Sequence, residues 1–549
     1  MTRLQLALAS AVLLAARSAA AQTAVPEVES EALRARVEEL RDDPDARIAG
    51  VALAAKRLVP QLYERRGFAP LWTASAARDD LLRAVRDSAA DGLDPEDYLL
   101  TPLQRARTAA DAPGASLEAQ VDCELLETDA LIRLLYHLIF GKVDPTDFDP
   151  NWNFARTLHH GDRVEFIQNL IGSGDLYARI EAEKPQHAFY LKLVAELARM
   201  REIEAHGGWQ PIASGPTLKP GVTDPRVPAL RARLAESGDL DLSAAASGEA
   251  FDPELAAAVG RFQARHGLDA DGGAGAATLA ELNVSVAARI QQIRVNLERA
   301  RWLLHDLAPT FVVVNVAGYE VYYVRDDSLV WQSRAQVGKP LRATPIFRSE
   351  LTYLVVNPTW TVPPGIFAKD ILPGQKRDRS TLAKKGLQVV DHSGQVVDES
   401  SIDWANTTPR NFRYMLRQPA GPNNALGRVK FMFPNSHSVY LHDTPSKSLF
   451  EKGERAFSSG CIRVEKPLEL AALLLEGQAG WDRAALDRAV TDGATRTIAL
   501  AKRVPVLLSY WTAWVDGKGA LQLRRDVYGR DAKIAAGLAA PFAVRTKTR

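Results

Sequence analysis

Cysteine is nearly missing from this chain, which has 2 among 549 residues, alongside 4 methionines and 10 histidines. A fold stapled by disulfides carries more, so Cys123 and Cys461 each need their own reading. An excess of one charge is missing as well. Lysine and arginine number 68 against 67 acidic residues. A net charge of +1 gives no overall positive field to neutralise phosphates, which argues against nucleic acid as the main partner. No stretch reaches the roughly 18 consecutive apolar residues of a membrane-spanning helix. HExxH and HxxxH spacings are also missing, so the adjacent pair His159-His160 reads as solvated loop histidines, and no metal or cofactor is expected.

Hydrophobic residues make up 46% and charged residues 25%, the balance of a soluble globular protein. The length exceeds one core and implies about three or four domains. Residues 1–21 read as an export signal: Arg3 gives a positive start, Leu4 to Ala16 an apolar core, and Ala19-Ala20-Ala21 a cleavage site before Gln22. Export places both thiols in an oxidising compartment. Cys123 lies in the helical run LEAQVDCELLETDALIRLLYHLIF and reads as a packed core residue. Cys461 reads as a free thiol kept for chemistry.

The texture changes along the chain. Residues 22–45 are rich in Ala, Glu and Arg and read as a linker or a solvated helix. Residues 46–206 carry helical periodicity, with helices expected at 116–140, 163–172 and 186–204 between Pro, Asp and Gly breaks. After a Gly/Pro/Ser-rich boundary at 207–225, residues 216–284 form a small three-helix unit. Its helices are expected at Val227–Glu236 and Asp252–His266 and from near Ala276. A connecting helix, Ala287 to Leu304, leads into residues 308–530, where β-branched runs such as Phe311–Val316 and Leu351–Val356 predict a mostly β domain. Between 357 and 413 the strand pattern lapses, as expected of a lid or binding loop. Its basic run, Lys376, Arg377, Arg379, Lys384 and Lys385, reads as a solvated face or a contact for an anionic polymer. The fold class is multidomain α+β.

The chemistry concentrates in HSVYLHDTPSKSLFEKGERAFSSGCIRV, His437 to Val464. Alternation over Ser438–His442 predicts a strand end with Ser438, Tyr440 and His442 on one face and His437 and Leu441 on the other. Cys461 follows nineteen positions after His442, preceded by Gly460. A thiol is a strong nucleophile once an imidazole takes its proton, so the pair points to a cysteine acyl-transferase or hydrolase.

Two resemblances extend these readings. Phe262 and Gln263, then Gly267-Leu268, Asp271-Gly272, Gly275 and Thr278, resemble the signature of the three-helix peptidoglycan-binding module. His442, Ser458, Ser459, Gly460, Cys461, Ile462 and Arg463 resemble the catalytic pattern of the YkuD-type L,D-transpeptidases. Ser459 departs from it, since most members carry His there. That departure, with Gly427–Phe431 and Leu441–Pro445, is similar to the large periplasmic subgroup with a helical scaffold domain.

The resemblance implies that Cys461 attacks a tetrapeptide stem of peptidoglycan, with His442 as base and no metal or cofactor. Gly460 and Cys461 amides, helped by Tyr440, are the expected oxyanion donors. Arg463 is expected to meet a stem carboxylate, or else to form a structural ion pair, and Ser459 and Asn424 are weaker substrate candidates. The imidazole needs an acceptor for its other nitrogen, and a backbone carbonyl is favoured over the Asp443 carboxylate. Implied partners are stem peptides, other cell-wall synthesis proteins, and carbapenem-type inhibitors that acylate Cys461. Hydrolysis by an L,D-carboxypeptidase, transfer to another acceptor, and a wall-binding scaffold with an inert pair all stay open.

Overall fold

The helix Leu117–Phe140 is buried along most of its length, and the other N-terminal helices pack around it. Asp122, Glu124, Glu127 and Asp129 are buried in it and each meets donors from a neighbouring segment. Asp129 accepts the amides of Ala54 and Ala55 at 2.9 and 2.7 Å, and Glu124 accepts Leu71 N–H and the Tyr63 hydroxyl. Cys123 sits in this core as a buried free thiol, pushed up to about 12 by burial, and packs as a core residue. The computed structural model describes residues 27–543 apart from 44, 149–151, 155–160, 242, 244–247 and 306. The export signal and His159-His160 therefore lie outside the described residues.

Residues 27–42 correct the sequence expectation. They form the helix Glu27–Asp42, and it is neither a linker nor solvated all round. Leu33, Val37 and Leu40 fall on one face and are buried in the core of the helical domain.

The three-helix unit comprises Val227–Glu236, Pro253–Arg265 and Ala276–Leu282. Its signature residues form a closed network. Gln263 donates to Asp271 Oδ1, to the Gly273 carbonyl and to Thr278 Oγ1, and accepts the Gly272 amide. Gly272 has a left-handed φ of +73°, and an added Cβ would also meet the Ala256 carbonyl at 3.0 Å, so glycine fits here on both counts.

The helix Val286–Leu303 ties all parts together. Arg301, ion-paired with Glu298, reaches the Tyr190 hydroxyl of the helical domain, while Asn296 and Gln292 hold Thr512 of the C-terminal domain. One hydrophobic cluster runs through the junction, from Leu193 and Leu197 to Ile293 and on to Trp511 and Trp514.

The C-terminal domain is built on a nine-stranded sheet. Its spatial order is Ala456–Ser458, Ser328–Gly338, Ile462–Val464, Leu441–His442, Val429–Met432, Phe347–Val356, Arg496–Ser509, Phe311–Asn315 and Glu320–Arg325. The last of these pairs back onto Ser328–Gly338, so the sheet curls closed over a core of Val, Leu, Phe and Ile. The extended stretch that begins at Arg496 is broken at Tyr510–Thr512. It contributes to the main sheet up to Ser509 and then to a separate hairpin, Ala513–Val515 with Leu521–Leu523.

The segment expected to be an irregular lid is a small folded subdomain. Four short strands run in the order Trp360–Thr361, Met415–Gln418, Gln388–Val390 and Val396–Val397. They enclose their own core of Phe367, Leu382, Val389, Trp404 and Leu416. Its entry and exit are adjacent, because Val356 pairs with Val429 and the Asn357 amide donates to the Arg428 carbonyl. Two paired strands therefore form the neck of this insertion. Its basic residues lie on the exposed surface, with Lys384 ion-paired to Asp378.

Candidate active site

Register places the candidate residues. Leu441–His442 runs parallel to Ile462–Val464, with Leu441 opposite Ile462 and His442 opposite Arg463. On its other side His442 faces Lys430. Residues directly opposite share a face, so Lys430, His442, Arg463 and then Gln336 form one row across four strands. The next row, Phe431, Leu441 and Ile462, is fully buried in the core. Period-two alternation thus sends the apolar residues into the core and the imidazole to the opposite face.

The stretch before His442 differs from the expected strand. Only Leu441–His442 is extended, and Ser438 has a φ of +56°. The Asn435 side chain accepts the amides of His437 and Val439 and donates to the carbonyls of Phe433 and Val439, closing a tight turn. The two histidines still separate. His437 lies against the Phe347 ring at 5.2 Å, while the rings of His442 and Tyr440 are 5.6 Å apart, edge to face.

His442 is 4% exposed, and its Nδ1 lies 2.5 Å from the backbone carbonyl of Asp443. A carbonyl only accepts, so Nδ1 carries the proton and Nε2 keeps a lone pair. The acceptor is a carbonyl of Asp443 itself, while its carboxylate is used elsewhere. That carboxylate accepts the Arg428 amide at 2.8 Å and is ion-paired with Lys447. Burial, with Arg463 and Lys430 adding positive charge, lowers the imidazole to about 3, against the pull of the Asp443 carbonyl.

Cys461 is partly exposed and its sulfur faces the Ser438 carbonyl at 3.9 Å. Burial raises the thiol to about 11, while the Tyr440 amide and Arg463 act in the opposite direction. Imidazole and thiol therefore both rest neutral. The turn before the sulfur is held from within: Ser458 Oγ donates to the Cys461 carbonyl at 2.6 Å and accepts the Gly460 amide at 3.0 Å. Gly460 adopts a φ of +119°, which favours glycine.

These bonds revise several expected roles. The Gly460 amide is committed to Ser458, so it is not an oxyanion donor in this arrangement. Asn424, 2% exposed, braces a turn through the Gln418 and Pro419 carbonyls and the Leu426 amide, and is not part of the site. Ser459 is exposed and accepts from Arg342 at 2.8 Å, and Arg342 is ion-paired with Asp370 of the inserted subdomain. Arg463 donates to Gln336 at 3.1 Å, its buried Nε has no partner, and no carboxylate pairs with it among the described residues. Tyr440 stays on the His442 side, its phenol held up by burial and by the neighbouring sulfur.

Comparison with known proteins matches the chain part by part. Residues 57–197 match the scaffold domain family, and residues 223–282 match a family described as "Putative peptidoglycan binding domain". Residues 309–485, which hold both His442 and Cys461, match the L,D-transpeptidase catalytic domain, YkuD. The chain carries a YkuD L,D-transpeptidase domain.

A protein of Haemophilus influenzae named "Putative L,D-transpeptidase" is 38% identical over 247 residues, covering 44% of this chain and 49% of that protein. The chain thus spans about half the length of that curated relative. Crystal structures of L,D-transpeptidases also overlap. One from Xylanimonas cellulosilytica has 15% identity and covers 54% of this chain and 99% of that one, with a TM-score of 0.18. One from Stackebrandtia nassauensis has 14% identity and covers 55% and 97%, with a TM-score of 0.20. At those scores the overlaps decide nothing about the site.

Several residues of the candidate site carry no local signal in the sequence. Thr344 Oγ1 donates to the Gly460 carbonyl, and Tyr528 donates to the Gly338 carbonyl beside it. Arg342 and Asp370 are far from Cys461 in sequence and meet the nucleophile turn only through the fold. Lys430 was within reach, since it stands in the same flanking motif as Gly427 and Phe431.

Proposed function

We propose that the chain is an exported, periplasmic cysteine L,D-transpeptidase that acylates itself on peptidoglycan tetrapeptide stems and passes the stem to an amine. The observation that carries this reading is the fixed tautomer of His442. With Nδ1–H bound to the Asp443 carbonyl, Nε2 is the basic atom, on the strand paired with the one that follows Cys461.

Cys461 Sγ attacks the carbonyl joining the third stem residue to the terminal D-Ala, and its proton passes to His442 Nε2. Because both groups rest neutral, proton transfer accompanies attack and no thiolate–imidazolium pair stands ready beforehand. The oxyanion is met by the Cys461 amide and the Tyr440 phenol, since the Gly460 amide is taken. The carbon–nitrogen bond then breaks, Nε2–H protonates the departing D-Ala amine, and a thioester remains on Cys461. An acceptor amine attacks the thioester and gives its proton to Nε2, and the sulfur leaves and is reprotonated there. Arg463, beside the sulfur and without a carboxylate partner among the described residues, stabilises the negative charge that develops on the sulfur during this cycle. Its guanidinium is also suited to a stem carboxylate.

Water in place of the amine gives an L,D-carboxypeptidase. Incubation with tetrapeptide muropeptides, read by mass spectrometry, separates the outcomes. Dimers crosslinked through the third residue are expected, and tripeptide alone would favour hydrolysis. Identical products from wild type and Cys461→Ala would make the chain a wall-binding scaffold.

A further inference from the structure

Lys430 stands in the His442 row with neither a hydrogen bond nor a carboxylate on its ammonium among the described residues. It faces His442 from one side as Arg463 does from the other, so two cations flank the imidazole from neighbouring strands. The other cations near the site are engaged. Arg463 is held by Gln336, Lys447 is ion-paired with Asp443, and Arg342 with Asp370. The Lys430 ammonium lies over the Tyr440 ring, 5.7 Å from its centroid, and that ring meets the His442 ring at 5.6 Å. The side chain is half-buried, and burial pushes the ammonium below its ordinary value with no partner to pull it back.

We propose that Lys430 binds the carboxylate of the terminal D-Ala, and so selects donor stems whose leaving residue carries a free carboxylate. This rests on the transpeptidase reading and deepens it by naming what recognises the leaving group.

The order of the groups along the row decides which charge Lys430 meets. Cys461 directly precedes the strand Ile462–Val464, which puts the sulfur on the Arg463 side of the imidazole. Attack seats the acyl carbon at Sγ and the departing nitrogen at His442 Nε2. The D-Ala carboxylate is two bonds from that nitrogen. Lys430 is on the strand beyond His442, and neighbouring strands lie ~4.8 Å apart, within reach of a four-carbon side chain. The carboxylate thus meets an ammonium on the side away from the sulfur, while Arg463 stays with the sulfur. An anion entering there also compensates a charge that burial leaves unpaired. Lysine suits the place, because a point charge on a flexible stem follows the carboxylate as the carbon–nitrogen bond breaks.

The test is single-turnover acylation of Cys461 by a free tetrapeptide and by the same peptide with a C-terminal carboxamide, which has the same shape and no charge. Both are followed in the full chain by intact-protein mass spectrometry. Wild type is expected to acylate about 10- to 100-fold faster with the acid, the range for a lost charge-assisted hydrogen bond. Lys430→Met is expected to lose that preference, slowing with the acid far more than with the amide, and Lys430→Arg to recover most of it. The acid-to-amide ratio is taken within each protein, so a loss of folded molecules cancels. Removal of the positive charge beside His442 acts on both peptides alike and cancels as well. The inference is overturned if wild type takes acid and amide at equal rates, or if Lys430→Met keeps the wild-type preference. If wild type acylates with neither peptide, the transpeptidase reading fails and the inference falls with it.

Discussion

Thr344 Oγ1 donates to the carbonyl of Gly460 at 2.8 Å, fixing the peptide that leads into the nucleophile. Thr344 is held in turn. Its amide donates to the Tyr528 hydroxyl at 3.2 Å, and the Tyr528 amide donates to the Tyr510 hydroxyl at 2.9 Å, which donates to Asp526. A segment beyond the matched catalytic region, which ends at 485, thus braces the Cys461 turn.

Tyr528→Phe removes one hydroxyl from this brace. The expected loss of stability is about 1 kcal/mol. Acylation of Cys461 is expected to slow by about 10- to 100-fold, because small misplacement of a nucleophile is costly. Single-turnover kinetics and a melting curve check both. A large fall in melting temperature with an unchanged rate would show that the brace is structural only.

Gly427 has a φ of +60°, and an added Cβ would land on the Asp443 carboxyl group. Gly427→Ala is expected to cost about 1–3 kcal/mol from backbone strain alone. It also displaces the residue whose carbonyl orients His442. Melting temperature and acylation rate should fall together. Loss of stability with a wild-type rate per folded molecule would separate Asp443 from the imidazole's orientation.

The neutral resting pair sets the pH response. The folded imidazole titrates near 3 and the unfolded one near the ordinary histidine value of 6.5, so the unfolded chain binds a proton first. His442 therefore contributes stability above pH 6.5 that is lost as pH falls towards 3. Cys461 is raised from 9.0 to about 11, so its contribution is present below pH 9 and lost as pH rises towards 11. Denaturant melts across pH check both limbs. Iodoacetamide alkylation of Cys461 should climb about ten-fold per pH unit between 7 and 10, since only the thiolate reacts. A plateau near neutrality would mean that a thiolate–imidazolium pair is already formed.

What the sequence makes legible here is what lies close along the chain. His442, Cys461 and the glycine before it are visible because one strand, one turn and one strand contain them. Ser438 was misplaced because the Asn435 side chain, and no backbone periodicity, shapes that turn. The inserted subdomain has no legible strand pattern because its strands are two to four residues long, too short for alternation to register. Leu33, Val37 and Leu40 did carry a helical spacing, and high Ala, Glu and Arg content masked it. Arg342, Thr344 and Tyr528 reach the nucleophile turn only through the sheet, and no local pattern announces them.

The central claim is that Cys461 and His442 form a working acylation pair while His437 packs on Phe347. Intact-protein mass spectrometry after mixing with a tetrapeptide stem tests it most directly. Wild type and His437→Ala should gain the mass of the stem without its terminal D-Ala, on the peptide containing Cys461, and His442→Ala and Cys461→Ala should gain nothing. Equal adducts in all four proteins, or none in wild type, would contradict the account.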